Sequence, residues 1–325
     1  MNRRESDPEP IRPRNRGLSD EAIDWHVRLS ARPGDSGLAK AYADWRARSP
    51  AHAQAADEAA VLLAAIGDTS AADAYREARR VLVPAPSTGW SRRAFIGGAA
   101  AASVAAITVG AATLGPALIA DHTTGVGERK SIILADGTHV WLNTATALSV
   151  NFSDGLRELT LHAGEILFEA IAANPVALIV KSQGGDVRAL AGGFSVLRLK
   201  DRTRVQVSEG EVDIRTGEGA LTLAAGQQSV FGHRLIGAAQ AIDTEAATAW
   251  RRGKLTFNRR PLADVVTEMA RYSQGYMVVV GEQLKATRVT GVFELNDLEG
   301  ALTLIAENTG AKVTRLPLLT VIRSA

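Results

Sequence analysis

The residues best placed to do chemistry are histidines, a few serines and the acids at turns. Six histidines (His26, His52, His122, His139, His162 and His233) are scattered over 325 residues. Metal sites draw on ligands that recur at short spacings, and none of the six pairs with another His or a carboxylate in that way. Ser182 and Ser195 lie in no nucleophile-elbow motif, and no Gly-rich loop opens a helix after a strand. Asp136, Asp186 and Glu165 stand at turns, where a solvated role is the default. Cysteine is absent, which removes disulfides, thiolate nucleophiles and Cys-ligated metals. The expectation is a chain that is not an enzyme, carries no cofactor or metal, and acts by binding.

The most specific short stretch is Ser91-Arg92-Arg93-Ala94-Phe95-Ile96. Ala94 to Ala120 are 27 residues without an ionisable side chain. As a helix they would extend ~40 Å, against a hydrocarbon core of ~30 Å. The pair Arg92-Arg93 ahead of a weakly hydrophobic run, with Phe95 two residues on, resembles a twin-arginine export signal. Five Lys/Arg fall in the 20 residues before the run and two in the 20 after it, so the positive-inside rule leaves residues 1–93 in the cytoplasm. The expected product is an inner-membrane protein with one pass, its N-terminus cytoplasmic and its C-terminus periplasmic. Residues 1–93 hold 15 Lys/Arg against 13 Asp/Glu; that balance speaks against a surface for nucleic acid.

Stepping along the chain, residues 1–18 alternate Arg, Pro and acids and read as a disordered tail. Residues 19–83 read as a small helical bundle. Ser19 is the expected N-cap of a helix carrying Ala22, Trp25 and Leu29. A second helix carries Leu38, Tyr42 and Trp45. A third is started by Ser49-Pro50 and stopped by Gly67, and a fourth runs from Ser70 to about Leu82. Residues 84–93 form a linker holding the twin-arginine motif, and 94–120 the membrane helix.

From 121 to 243 the pattern alternates with period two: Val140 and Leu142, Leu159 and Leu161, Val205 and Val207, Val212 and Ile214. Asp136-Gly137, Asp154-Gly155, Gly164, Glu209-Gly210-Glu211 and Gly226 punctuate it. An all-β domain follows, with sandwich, barrel and short solenoid all open. Residues 244–325 alternate helix and strand. Phe257-x-x-x-Pro261-Leu262-x-x-Val265-Val266 recurs 36 residues later as Phe293-x-x-x-Asp297-Leu298-x-x-Ala301-Leu302, which predicts two βαβ units, with Asn258 and Asn296–Asp297 helping to begin the helices. The fold class is multi-domain: helical bundle, one membrane helix, all-β domain, and a C-terminal α/β domain of two repeats.

Several of these patterns resemble one family. Ala22-x-x-Trp25-x-x-x-Leu29 with Trp45-x-x-x-Ser49-Pro50-x-His52 looks like the cytoplasmic domain of FecR-type sigma-factor regulators. Leu134-x-Asp136-Gly137-Thr138-x-Val140-x-Leu142-Asn143, with Arg157, Gly164-Glu165-x-x-Phe168 and Gly192-Gly193-Phe194-Ser195-Val196, is similar to that family's central domain. Trp250-Arg251-x-Gly253-x-Leu255-x-Phe257 is close to its entry into a small secretin-and-TonB N-terminal-like domain. The resemblance implies an anti-sigma factor that relays a signal from a TonB-dependent outer-membrane transducer, commonly for ferric siderophores, to a cytoplasmic ECF sigma factor. It places sigma-factor contact at Trp25, Leu29 and Trp45. Docking of the transducer's signalling domain falls to Trp250, Phe257, Leu262, Phe293 and Leu298, and export to Ser91, Arg92, Arg93 and Phe95. The alternative is a twin-arginine-exported, membrane-anchored structural envelope component that uses the C-terminal domain for assembly.

Overall fold

The structure is a computed structural model that describes residues 18–31, 34–67, 119–171, 174–316 and 319–324. The expected tail, fourth helix, linker, export motif and nearly all of the membrane run lie outside these residues. Among the described residues no helix is long and apolar enough to cross a membrane.

Three helices open the fold: α1 (Leu18–Ala31), α2 (Ser36–Arg46) and α3 (Pro50–Gly67). Leu18 already lies in α1, so Ser19 falls inside the helix and is not its cap. Asp35 caps α2 by accepting from Leu38 N at 3.0 Å. Ser49 caps α3 as expected, its Oγ accepting from His52 N at 3.3 Å. Pro50 supplies a preset φ at a position whose N–H has no helical partner.

Fourteen strands then build the β domain. In chain order they begin with β1 (His122–Thr123), β2 (Lys130–Ile133), β3 (His139–Leu142), β4 (Ala147–Ser153), β5 (Leu156–Ala163), β6 (Glu165–Ile171) and β7 (Leu178–Ser182). They continue as β8 (Gly185–Ala189), β9 (Gly192–Arg198), β10 (Thr203–Thr216), β11 (Gly219–Ala224), β12 (Gln227–Gly232), β13 (Leu235–Ile236) and β14 (Gln240–Ala241). The hydrogen-bonded path is β1-β4-β5-β7-β8-β10-β9-β6-β3-β2, with β11 and β12 also on β10.

Strand β10 is where the sheet doubles over. Its first half pairs with β9 and β12, its second with β8 and β11. The pairing slips between Val207 and Glu209, and Gly210 follows at φ 77°. A β-bulge with a left-handed glycine bends a strand sharply, so Glu209-Gly210-Glu211 is a bend within one strand where a turn between two was expected. The two layers close on one core, to which Val140, Phe168, Phe194 and Val205 contribute from one side and Leu159, Val180, Val187 and Ile214 from the other. The result is a two-layered sandwich.

Asp136, expected at a solvated turn, is a structural ion. It accepts from Thr138 N at 2.9 Å and from Arg157 Nε at 2.8 Å, and Arg157 is buried. Burial pushes the Asp136 carboxyl up, but the bonds from Thr138 and Arg157 outweigh it and hold it below its ordinary 3.8.

The C-terminal domain contains α4 (Thr244–Thr248), a 3-10 turn at Ala249–Arg252, β15 (Lys254–Pro261), α5 (Leu262–Ala270), β16 (Tyr276–Val280) and α6 (Glu282–Ala286). It ends with β17 (Arg288–Glu294), α7 (Leu298–Thr309), β18 (Ala311–Leu316) and β19 (Leu319–Ser324). The repeat is real at the level of strand, helix, strand. It is not two βαβ units, because β15 pairs antiparallel with β17 while β16, β19 and β18 form a separate sheet. Asp297 caps α7 through Gly300 N at 2.9 Å. Asn258, by contrast, lies within β15, which runs on to Pro261.

Two tests follow from the β domain. A Cβ on Gly164 (φ +78°) would stand 2.4 Å from Thr146 Cα and 2.7 Å from Ala145 O, whereas one on Gly155 (φ +78°) meets nothing within 4 Å. Gly155→Ala should cost only left-handed strain, ~1–2 kcal/mol, and Gly164→Ala a further ~1–3 kcal/mol of overpacking, read from urea midpoints of residues 119–325. A carboxylate with a depressed folded pKa stabilises above its unfolded value and loses that contribution as pH falls through the folded one. Asp136→Asn should therefore lower stability at pH 7 by ~3 kcal/mol, since it strands a buried Arg157. The gap to the parent should close as pH falls below about 4.

Candidate functional site

Three groups of side chains bear on function: an aromatic cluster in the bundle, a polar seam between the β and C-terminal domains, and an apolar sheet face. The bundle is too short to bury much aliphatic mass, and aromatic rings fill it. Trp45 is 2% exposed, stacks on Tyr42 at 6.1 Å between centroids and meets His52 edge-on at 5.2 Å. Its Nε1 donates to Glu21 Oε2 at 2.9 Å, which satisfies the one polar atom that burial would otherwise strand. Trp25 is half-buried, 6.3 Å from Trp45, with Arg28 over its outer ring at 5.7 Å. Leu29 is also half-buried. Trp45 thus belongs to the bundle core, whereas Trp25 and Leu29 reach its surface.

The seam is built around Glu165, which is 3% exposed at the start of β6. Arg271, just after α5, donates Nη2 to Glu165 Oε2 at 2.6 Å and Nη1 to Glu268. Asn143 Nδ2 donates to Glu165 Oε2 at 2.8 Å and to the Tyr272 hydroxyl at 2.7 Å. Thr144 Oγ1 donates to the Arg271 carbonyl at 2.9 Å. Burial alone would lower the Arg271 pKa; the Glu165 and Glu268 carboxylates outweigh it and hold the guanidinium above its usual range. Burial, reinforced by Glu165, pushes the Tyr272 phenol well up. Both groups keep one protonation state across the physiological range.

Beside it, Arg251 pairs with Glu169, which also accepts from Trp141 Nε1 at 3.0 Å, and Arg129 Nη1 donates to the Trp250 carbonyl at 3.1 Å. Leu167 of β6 sits in the same apolar cluster as Trp250, Leu255, Leu262 and Met269. The two domains therefore share a core as well as charges.

The proposed transducer-docking residues are placed mostly inside that core. Trp250, Phe257 and Leu262 are 3%, 6% and 0% exposed, and Phe293 and Leu298 are half-buried against them. Trp250, Phe257 and Leu262 thus form the core of the C-terminal domain, while Phe293 and Leu298 keep part of their surface. Trp250 Nε1 is buried with no acceptor among the described residues. No cluster of three His, Cys, Asp or Glu able to hold a metal occurs among the described residues. Glu165, Arg271, Asn143 and Tyr272 escaped sequence reasoning as a set. The signals were Asn143 after Leu142 and Glu165 beside Gly164 in the family pattern; Arg271, the partner of Glu165, lies 106 residues away.

The apolar face belongs to β16 and β19. Tyr276, Val278 and Val280 alternate with Met277 and Val279, and Leu319 and Val321 face the same way as the first set. Met277, Val279 and Ile322 pack under the C-terminal helices. Val278, Leu319 and Val321 belong instead to one apolar cluster with Ala22, Trp45, Ala55, Ala56 and Ala59 of the bundle, where α1 lies against β18 and α3 against β16. The bundle and the C-terminal sheet, expected on opposite sides of a membrane, touch here.

Two family models match parts of the chain. Residues 120–213 match the family model for FecR protein, and residues 20–62 match a domain of unknown function, DUF4880. The chain is thus similar to the FecR family over residues 120–213, behind a stretch similar to DUF4880. The FecR model stops at Asp213, inside β10, whereas the sandwich is completed by β11 to β14. Two crystal structures of a candidate anti-sigma factor from Parabacteroides distasonis ATCC 8503, at 1.65 and 2.50 Å resolution, are similar to this chain at TM-scores of 0.55 and 0.54. Each is 25% identical and covers 63% of this chain and 98% of its own. A comparison with curated proteins found no match.

Arg271→Ala leaves Glu165 buried without its partner and should cost ~3–5 kcal/mol, whereas Arg271→Met with Glu165→Gln should recover much of that. Thermal unfolding of residues 119–325 reads the difference. Equal losses in the single and double variants would show that the pair is not the joint.

Proposed function

We propose that the chain is a membrane-anchored regulator of a sigma factor, acting by binding and not by catalysis. The observation that carries this reading is the order of its parts: a DUF4880 helical region, then an uncharged 27-residue run, then a FecR domain. The likeness to solved candidate anti-sigma factors supports it. The bundle holds an ECF sigma factor in the cytoplasm, and residues 94–120 span the inner membrane behind a twin-arginine motif. The β and C-terminal domains, fastened by the Glu165–Arg271 seam, form one periplasmic body that receives the signalling domain of a TonB-dependent transducer, with ferric siderophores as the inducing class. A rigid-body displacement passes poorly through a single helix, so regulated cleavage is the switch proposed. Induction that survives when proteolysis is blocked would sink that part.

Capture of the sigma factor encoded nearest this gene by residues 1–83 tests the reading. Trp45→Ala should lose ~3–5 kcal/mol, as core truncations of aromatics do, and with it the helical circular dichroism. Trp25→Ala should keep the helicity and weaken capture. No capture of any sigma factor by the folded bundle removes the proposal.

A further inference from the structure

Residues 119–129 lie where the uncharged run ends, at Ala120, and both domains hold them. Strand β1 is the outermost of one sandwich layer and β2 of the other, so the residues between them cross from layer to layer. The first half of the crossing is tied to the β domain. Ser149 Oγ donates to the Ile119 carbonyl at 3.0 Å, Val150 N donates to Asp121 Oδ2 at 2.8 Å, and His122 and Thr123 pair with Leu148 and Ala147. Thr124 is buried, its hydroxyl donating to the Asn143 carbonyl at 2.5 Å and accepting from Thr146 N at 2.9 Å. Asn143 spends its side chain on Glu165 and Tyr272 of the seam, so the holder of Thr124 is itself held by the C-terminal domain.

The second half answers to the C-terminal domain directly. Gly127 N donates to Thr144 Oγ1 at 2.8 Å, and the same hydroxyl donates to the Arg271 carbonyl. Hydrogen bonds that share a hydroxyl polarise one another, so each is weaker without the other. A Cβ on Gly127 would stand 3.5 Å from the Tyr272 carbonyl, which places the turn against that domain. Arg129 Nη1 then reaches the Trp250 carbonyl. Gly125, Val126, Gly127 and Glu128 are all exposed, so apolar burial does little to keep them in place. Hydrogen bonds do that work, and those at 127 and 129 end on the C-terminal domain or on the hydroxyl it shares.

We propose that residues 119–129 are a latch that the C-terminal domain keeps shut. While the Glu165–Arg271 joint is closed, the chain leaving the uncharged run is fixed along its whole crossing. Opening the joint releases Gly127 and Arg129 and loosens Asn143 behind Thr124. What then remains is a two-residue pairing at a sheet edge, and such ends fray readily. In the sigma-regulator reading, on which this last step rests, the freed chain is where regulated cleavage begins, and a partner that prises the seam controls it.

Amide hydrogen exchange of the full chain, purified in mild detergent, tests the latch through the peptide spanning 119–129. Arg129→Met removes a bond from a charged donor and should speed exchange there by about tenfold. Arg271→Ala, which loosens the joint without touching the latch side chains, should do the same, with Val212 and Ile214 of β10 still protected. Exchange within about twofold of the parent in both variants overturns the latch. Where Arg271→Ala also unprotects β10 the chain has unfolded, and Arg129→Met alone decides. In the double variant Arg129→Met should add less than about twofold to Arg271→Ala; a full tenfold addition shows that Arg129 acts independently of the joint and overturns the coupling. Trypsin should cut after Lys130 about tenfold faster in Arg129→Met than in the parent, and equal rates remove the link to cleavage. None of these measurements involves a sigma factor, so their failure leaves the sigma reading standing, and failure of capture by residues 1–83 leaves the latch.

Discussion

A carboxylate taken out of water at the start of β6 constrains everything C-terminal to it. Glu165 is 3% exposed and has no water to fall back on, so the fold must bring cationic and N–H donors to it. Arg271 and Asn143 do so, and each is then tied to its own surroundings, Arg271 through Glu268 and Asn143 through Tyr272. Isolated buried ions cost far more than their partners return unless every lone pair is satisfied. Here the satisfaction comes from two domains at once. The apolar contacts of Leu167 and Trp141 with the Trp250 cluster make the same junction from the hydrophobic side. The β sandwich and the C-terminal domain consequently move as one body, and a partner that grips one displaces both.

Much of this was written locally in the sequence. The period-two alternation located the strands, and Ser49-Pro50 and Gly67 bounded α3. The 36-residue repeat foretold two strand-helix-strand units. What failed did so for identifiable reasons. A glycine at a bulge and a glycine at a turn look alike in one dimension, and Gly210 sits in a strand that runs through it. The repeat showed which elements recur but not how they pair, and antiparallel pairing of the first strands split the domain into two sheets. Trp250, Phe257 and Leu262 carry the family pattern because they form the core; a pattern of apolar anchors does not say which side faces out. The Glu165–Arg271 joint spans 106 residues and has no local signature. Met277 to Val280 is uninterruptedly apolar, and such a run does not say what covers either face.

The bundle illustrates the opposite economy. The three described helices, with Trp45 and small residues in their core and Tyr42 and Trp25 packed at its edge, approach the lower size at which a fold closes on itself. Its ring contacts and the Trp45–Glu21 bond give it shape. Its alanine stripe gives it a surface that gains by being covered, whichever apolar face is offered.

The order of strands in the C-terminal sheet has a consequence for biosynthesis. Strand β19 lies between β16 and β18, yet the ribosome makes it after both of them and after every helix described. Until residues 319–324 emerge, β16 and β18 have no common neighbour, and two apolar faces and two open edges stand side by side. Nascent chains fold from the N-terminus onward, so the helical bundle is already formed throughout that interval. The sheet is thus finished from its middle, and a lesion in its final strand would do more harm than the position of that strand along the chain suggests.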